Sequence, residues 1–124
     1  MNNVCLVGRL TKDPELRNTA SGTPVCNFTL AVDRRFKSEN QPTADFINVV
    51  SWSSTAEFVA NYFNKGMRVF VVGRIQTRTW EDNDGKKHYA TEVVSNEVGF
   101  ADGKKDGDNK PGLHEEVDED DVPF

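Results

Sequence analysis

An all-β domain with one helix, followed by an acidic tail, is the fold class that this 124-residue sequence predicts. Three observations carry that expectation. Stretches rich in Val, Ile, Phe and Thr alternate apolar and polar residues at the strand period of two. A single segment switches to the helical period. Beyond Phe100 the apolar periodicity stops and the composition turns to Gly, Asp, Lys and Asn. The length leaves room for one domain with a modest core.

The first strand is "NNVCLVGRL", interrupted by Gly8. Turn chemistry follows at Asp13-Pro14 and at Ser21-Gly22-Thr23-Pro24. The second strand, "VCNFTLAVD", sets Phe28, Leu30 and Val32 on one face; "SENQPTA" is a loop, and "DFINVVSW" is the third strand. Ser54 with Glu57 three residues on is a capping-box signature. Phe58, Val59, Tyr62 and Phe63 then share a helical face. Lys65-Gly66 supplies a last-turn cation and a stop. From Met67, "MRVFVVGRIQTRTW" runs to "EDNDG", where Asp84-Gly85 signals a hairpin, and "KKHYATEVVSNEVGF" returns. The order β-β-β-α-β-β is that of the OB-fold, a five-stranded Greek-key barrel, here with extended hairpins. Val7-Gly8-Arg9-Leu10 recurs as Val72-Gly73-Arg74-Ile75, which reads as two strands bending at barrel corners.

The formal net charge of −5 is unevenly spread: residues 1–100 hold 12 Lys+Arg against 11 Asp+Glu, and residues 101–124 hold 3 against 9. The domain is thus slightly basic, and any nucleic-acid binding must draw on clustered cations together with something besides charge. No stretch is long and apolar enough to span a bilayer, and the N-terminal residues lack the pattern of a signal peptide. A cytoplasmic protein is expected. Cys5 and Cys26 stand in apolar, strand-like surroundings and read as buried thiols. The histidines, His88 and His114, are isolated, so neither a metal site nor a cofactor is expected.

Strand parity separates a candidate surface from the interior. In the fourth strand Val69, Val71, Gly73 and Ile75 share one face. Phe70 and Val72, then Arg74, Gln76, Arg78 and Trp80, share the other. Phe46, Asn48, Val50 and Trp52 are co-facial in the third strand. Phe36 sits among Arg34, Arg35 and Lys37, and Lys86 and Lys87 stand at the last hairpin tip. Unpaired bases stack on aromatic rings while cations follow the phosphates, a mode that tolerates any base and binds duplex, whose base faces are hidden, much more weakly. Taken singly, Phe46 and Trp52 fit a barrel core somewhat better than a surface, whereas Phe36 and Trp80 fit exposure. An OB-fold enzyme would need convergent carboxylates or an activated nucleophile. Asp13, Glu15, Asp45, Glu81, Asp82 and Asp84 fall mainly in turns and at strand ends, so no catalytic residues are expected. Stacking faces alone do not separate DNA from RNA.

The chain ends "HEEVDEDDVPF". Its acids explain a solvated, disordered tail, but not the apolar Val122-Pro123-Phe124 ending. With "VCLVGRLTKDPELR", "NFTLAVDR", "ADFINVVSW", "VANYFNKGMRV", "GRIQTRTW" and "TEVV" in order ahead of it, the chain resembles the bacterial single-stranded DNA-binding proteins, of chromosomal, phage or plasmid origin. The resemblance covers about residues 1–100 and resumes at "DEDDVPF". It implies base stacking by Phe36, Phe46, Trp52 and Trp80, with Arg34, Arg35, Arg74, Arg78, Lys86 and Lys87 as the accompanying cations. Asn48 and Gln76 stand where some members place a further Arg. The family's homotetramer and its roles in DNA replication, recombination and repair are likewise implied. Residues 101–117 would be a flexible linker, short for the family. Asp118, Glu119, Asp120, Asp121, Val122, Pro123 and Phe124 would form a docking tip for helicases, exonucleases, recombination mediators and polymerase subunits, with Val122 in place of the commoner Ile or Leu. The competing readings are an OB-fold scaffold acting mainly through protein contacts, for which the tail is unexpected, and an RNA-binding protein.

Overall fold

The N-terminal strand β1 (Val4–Leu10) pairs along one edge with β5 (Arg68–Glu81) and meets β3 (Pro24–Asp33) through Arg9↔Ala31 and Leu10↔Leu30 on the other. Between them, β5 pairs antiparallel with β6 (Lys87–Phe100), β6 pairs parallel with β4 (Ala44–Trp52), and β4 pairs antiparallel with β3. The ring β1-β5-β6-β4-β3-β1 is therefore closed, as an OB-fold barrel requires. Helix α1 (Ser53–Tyr62) lies between β4 and β5. The computed structural model describes residues 1–36 and 38–102. The expected linker and docking tip, apart from Ala101 and Asp102, lie outside the described residues.

Alternation fills the barrel as the parity of each strand dictates. Leu10, Phe28, Leu30, Val49, Val69, Val71, Val93 and Val98 are buried together, with Ala56 and Val59 of α1 over them. Phe63 plugs the helical end, its ring edge-on to Phe28 at 5.9 Å and to Phe100 at 5.7 Å. The two buried serines of this core, Ser51 and Ser95, satisfy one another through hydroxyls 2.7 Å apart, which avoids the cost of an unpaired buried hydroxyl. The repeated Val-Gly-Arg segments behave as barrel corners. A Cβ on Gly8 would lie 2.5 Å from the Ala31 carbonyl oxygen, and one on Gly73 would collide with the carbonyl of Val94. Beside Gly73 the register steps from Val72↔Glu97 to Gly73↔Ser95, so Asn96 is the extra residue of a β-bulge that bends β6.

Several local expectations are corrected. A sixth strand, β2 (Glu15–Asn18), adds to the edge of β3. All four of its residues are exposed, so "ELRN" shows none of the apolar alternation that marks a half-buried strand. The capping box does not form. Strand β4 runs straight into α1, so Trp52 occupies the N-cap without a side-chain cap bond, and Ser53 turns the chain at φ 57°. The helix also stops earlier than Gly66. Phe63 leaves it in an extended conformation, which lets its ring enter the core. Gly66 does adopt φ 85°, but in a separate turn whose amide donates to Leu10 O at 2.8 Å. Tyr62, expected on the buried helical face, is exposed, and so is Ile75, because β5 continues beyond the barrel after Gly73. Of the two cysteines only Cys26 is buried; Cys5 points outward from β1. Loss of hydration, with a smaller effect of the nearby Glu15 charge, raises the Cys26 thiol to about 11.

Candidate nucleic-acid interface

Register turns the parity argument into a surface. Val50 of β4 lies beside Val94 of β6. Along the β5–β6 hairpin, Arg74, Gln76, Arg78 and Trp80 lie opposite Val94, Glu92, Ala90 and His88. Phe46, Asn48, Val50 and Trp52 therefore share one continuous face with the polar side of the hairpin. The exposure of Phe46 is 70% and of Trp52 43%, so the leaning toward the core that pattern alone gave these two is corrected. Their strand alternates into the barrel through Ile47, Val49 and Ser51 instead, which leaves Phe46, Asn48 and Trp52 exposed on the outer face while Val50 is covered. Phe36, beyond the end of β3, is 83% exposed, and Trp80 is 44% exposed.

The cations are held in distinct ways. Arg34 closes the base of the β3–β4 loop, donating from Nη2 to Asp45 at 2.8 Å and from Nε to both carboxylate oxygens at 3.2 Å. The hydrogen bond and the charge pair together raise the Arg34 pKa, and the same hydrogen bond lowers that of Asp45. Arg35 lies over the Phe36 ring, its guanidinium carbon 5.7 Å from the centroid. Arg78 similarly covers Trp80 at 4.8 Å while its Nε donates to Glu92 at 3.2 Å. Arg74 is exposed and donates a long bond, 3.4 Å, to Gln76. Asn48 accepts from the Thr29 hydroxyl at 3.0 Å, and Gln76 donates to Glu92 at 3.4 Å.

Asp82 organises the hairpin tip. Its Oδ1 accepts the amides of Asp84 and Lys86, both at 2.9 Å, and its Oδ2 lies 2.8 Å from His88 Nε2. The His88 hydrogen bond, followed by the Lys86 amide, pulls the Asp82 carboxyl below its ordinary value. Gly85 takes φ 81° at the turn, and Lys86 and Lys87, which follow it, are exposed. The imidazole of His88 is stacked with Trp80 at 5.4 Å and 22°.

The structure thus brings Phe46, Trp52, Trp80, Arg74 and Arg78 onto one face, with Phe36, Arg34 and Arg35 at the β3–β4 loop and Lys86 and Lys87 at the hairpin tip. Lys37 and residues 118–124 lie outside the described residues. Sequence reasoning passed over His88 and Glu92, which support Trp80 and Arg78. Counting pairs outward from a two-residue Asp84-Gly85 turn would have set Tyr89 and Val93 opposite Trp80 and Gln76; the longer loop closed by the Asp82 amide on Lys86 O shifts the register by one and sets His88 and Glu92 there instead. The same face carries a cleft of about 220 Å³ between Lys12, Asn27, Thr29, Asn48 and the Arg78–Glu92 pair. Such a surface can stack planar rings and accompany them with cations. Among the described residues no three His, Cys, Asp or Glu side chains converge to hold a metal.

Comparison with known proteins points the same way. The model of the Single-strand binding protein family matches residues 1–101. "Single-stranded DNA-binding protein 2" of Clostridium acetobutylicum is 50% identical over 133 aligned positions that cover 100% of both chains. "Single-stranded DNA-binding protein" of Clostridium tetani is 51% identical over 116 residues, 92% of this chain and 80% of that one. The protein of the same name from Caldanaerobacter subterraneus subsp. tengcongensis is 47% identical over 124 residues, covering 97% and 82%.

Proposed function

Because the chain belongs to the single-strand binding protein family, we propose that it is a non-enzymatic protein that coats single-stranded DNA without sequence preference. The observation that carries this reading is the face on which exposed Phe46, Trp52 and Trp80 are interleaved with Arg74 and Arg78. Phe36 with Arg35 and the Lys86-Lys87 tip extend it at either end. Bases unstack from one another onto the rings, at about 1–3 kcal/mol each, while the cations take up phosphates. Coating in this way blocks reannealing and nuclease attack during replication, recombination and repair.

A homotetramer is part of the proposal. It is supported by an apolar strip on the outside of the barrel, where Cys5 and Val7 of β1 lie beside Val72 and Phe70 of β5. Val7 is 42% exposed there. The acidic segment Asp118–Asp121 with Val122, Pro123 and Phe124 serves as a docking peptide, Phe124 filling an apolar pocket on a genome-maintenance protein and the acids facing a basic rim. No described helix is long and apolar enough to cross a membrane, and the proposed site of action is the cytoplasm, on the nucleoid.

Competition binding tests the DNA reading. A labelled oligo-dT should be displaced by unlabelled single strands of any sequence and resist displacement by duplex. Affinity should fall with salt by about 0.7 logarithmic units per tenfold salt for each phosphate contact. Equal competition by duplex would defeat the proposal, and tighter binding of oligo-U than oligo-dT would turn it toward RNA. Removal of residues 118–124 should leave oligo-dT binding intact while abolishing partner capture; unchanged capture would defeat the docking role.

A further inference from the structure

Glu92 is the feature that a charge argument does not anticipate. Its side chain is only 8% exposed, and it stands on the face that carries the exposed aromatics and arginines. Burying a carboxylate costs hydration, and its charge opposes the phosphates that the proposed function brings there. Its hydrogen bonds are long: 3.4 Å from Gln76 Nε2, and 3.4 and 3.2 Å from Arg78 Nε to the two carboxylate oxygens. They are also one-sided. Glu92 engages Arg78 through Nε alone, whereas Asp45 grips Arg34 through both Nε and Nη2. The guanidinium carbon of Arg78 meanwhile lies over the Trp80 ring, 4.8 Å from its centroid.

We infer that Glu92 is a positioning residue for Arg78. The carboxylate holds one edge of the guanidinium and the indole holds one face, which leaves the two terminal nitrogens directed to a phosphate beside the base stacked on Trp80. A guanidinium fixed in this way has less side-chain freedom to lose when it meets the phosphate. Lysine has no Nε–H edge to be held, so an ammonium at position 78 would not be oriented by the same carboxylate. The inference rests on the reading of this face as a single-strand DNA interface.

The test exploits a sign. Glu92→Gln removes a negative charge from a surface that meets phosphates, so simple electrostatics predicts tighter binding with a salt slope steeper by up to about 0.7. Positioning predicts the opposite: the full-length variant binds oligo-dT about three- to tenfold more weakly at low salt, and the loss shrinks as salt is raised, because the contact weakened is one to a phosphate. In an Arg78→Gln background the same substitution should change affinity by less than about twofold, because the pair acts as a unit. Equal or tighter binding by Glu92→Gln would overturn the inference. So would an equal loss in both backgrounds, which is the mark of a purely structural carboxylate. Should Glu92→Gln not fold, the unaltered protein still decides through the Nε–H proton of Arg78. Its NMR signal should persist under conditions where that of Arg74 exchanges away; equally fast exchange of the two would overturn the inference. A wild-type protein that ignores oligo-dT would sink the proposed function instead, and the exchange measurement would still judge the pair.

Discussion

Trp80→Ala separates binding from folding more cleanly than any other change on the proposed interface. The indole is at the far end of β5, beyond the barrel, and is 44% exposed. What it touches is itself on the surface: the Arg78 guanidinium at 4.8 Å and the His88 ring at 5.4 Å. Loss of an exposed cation–π contact costs about 0.5–1 kcal/mol, and loss of the stacked pair a similar amount. The domain should therefore lose no more than about 2 kcal/mol and remain folded, given ordinary stabilities of roughly 5–15 kcal/mol. Affinity should suffer more. One lost base stack is worth about 1–3 kcal/mol, or roughly 5- to 150-fold at 1.36 kcal/mol per decade. Stacking is not screened, so the loss should persist when salt is raised, whereas a lost phosphate contact should matter less there. Anisotropy of a labelled oligo-dT at two salt concentrations, together with a thermal melt, reads all three quantities. Unchanged affinity, or a variant that no longer melts cooperatively, would refute the reasoning.

Gly73→Ala should destabilise the fold by about 1–3 kcal/mol in urea denaturation, because its Cβ meets the Val94 carbonyl of the neighbouring strand; Gly8→Ala should behave alike at Ala31. In the native protein a thiol reagent should spare Cys26, whose thiol is buried and raised to about 11, and modify it only on unfolding; modification of Cys26 in the folded protein would contradict its burial. Asp45 and Asp82 are both held below the ordinary 3.8 by their hydrogen bonds to Arg34 and to His88. Their contribution to stability is therefore present above that value and lost as pH falls through the lower folded-state values. Carboxyl chemical shifts should titrate below 3.8 in both, and the Asp84 and Lys86 amides should move with Asp82; midpoints at or above 3.8 would contradict the hydrogen-bond assignments.

Periodicity carried the large elements because their packing follows it. Phe28 and Leu30, or Val69 and Val71, are inside because a strand in a small barrel has one dry face. The Val-Gly-Arg corners were legible for a steric reason, since only glycine lets two backbones come so close. Strand β2 was illegible because it is an edge with no buried face, and main-chain pairing alone leaves no mark on composition. The helix start misled because a strand feeding directly into a helix displaces the cap onto its last residue, here Trp52. For Phe46 and Trp52 the pattern gave which side chains share a face but not whether that face is covered. That depends on how the barrel closes, and only the family resemblance pointed outward. Glu92 and His88 were hidden for another reason: each acts through a cross-strand partner and has no signature of its own along the chain.

The central claim is that these exposed rings stack on unpaired bases. Intrinsic tryptophan fluorescence tests it directly, since Trp52 and Trp80 are the only tryptophans in the chain and both belong to the proposed interface. Titration with oligo-dT should quench the emission strongly and to saturation, keep most of that quenching at raised salt, and give little change with duplex of equal length. Emission that stays constant while oligo-dT binds, or quenching by duplex to the same extent, would contradict the account.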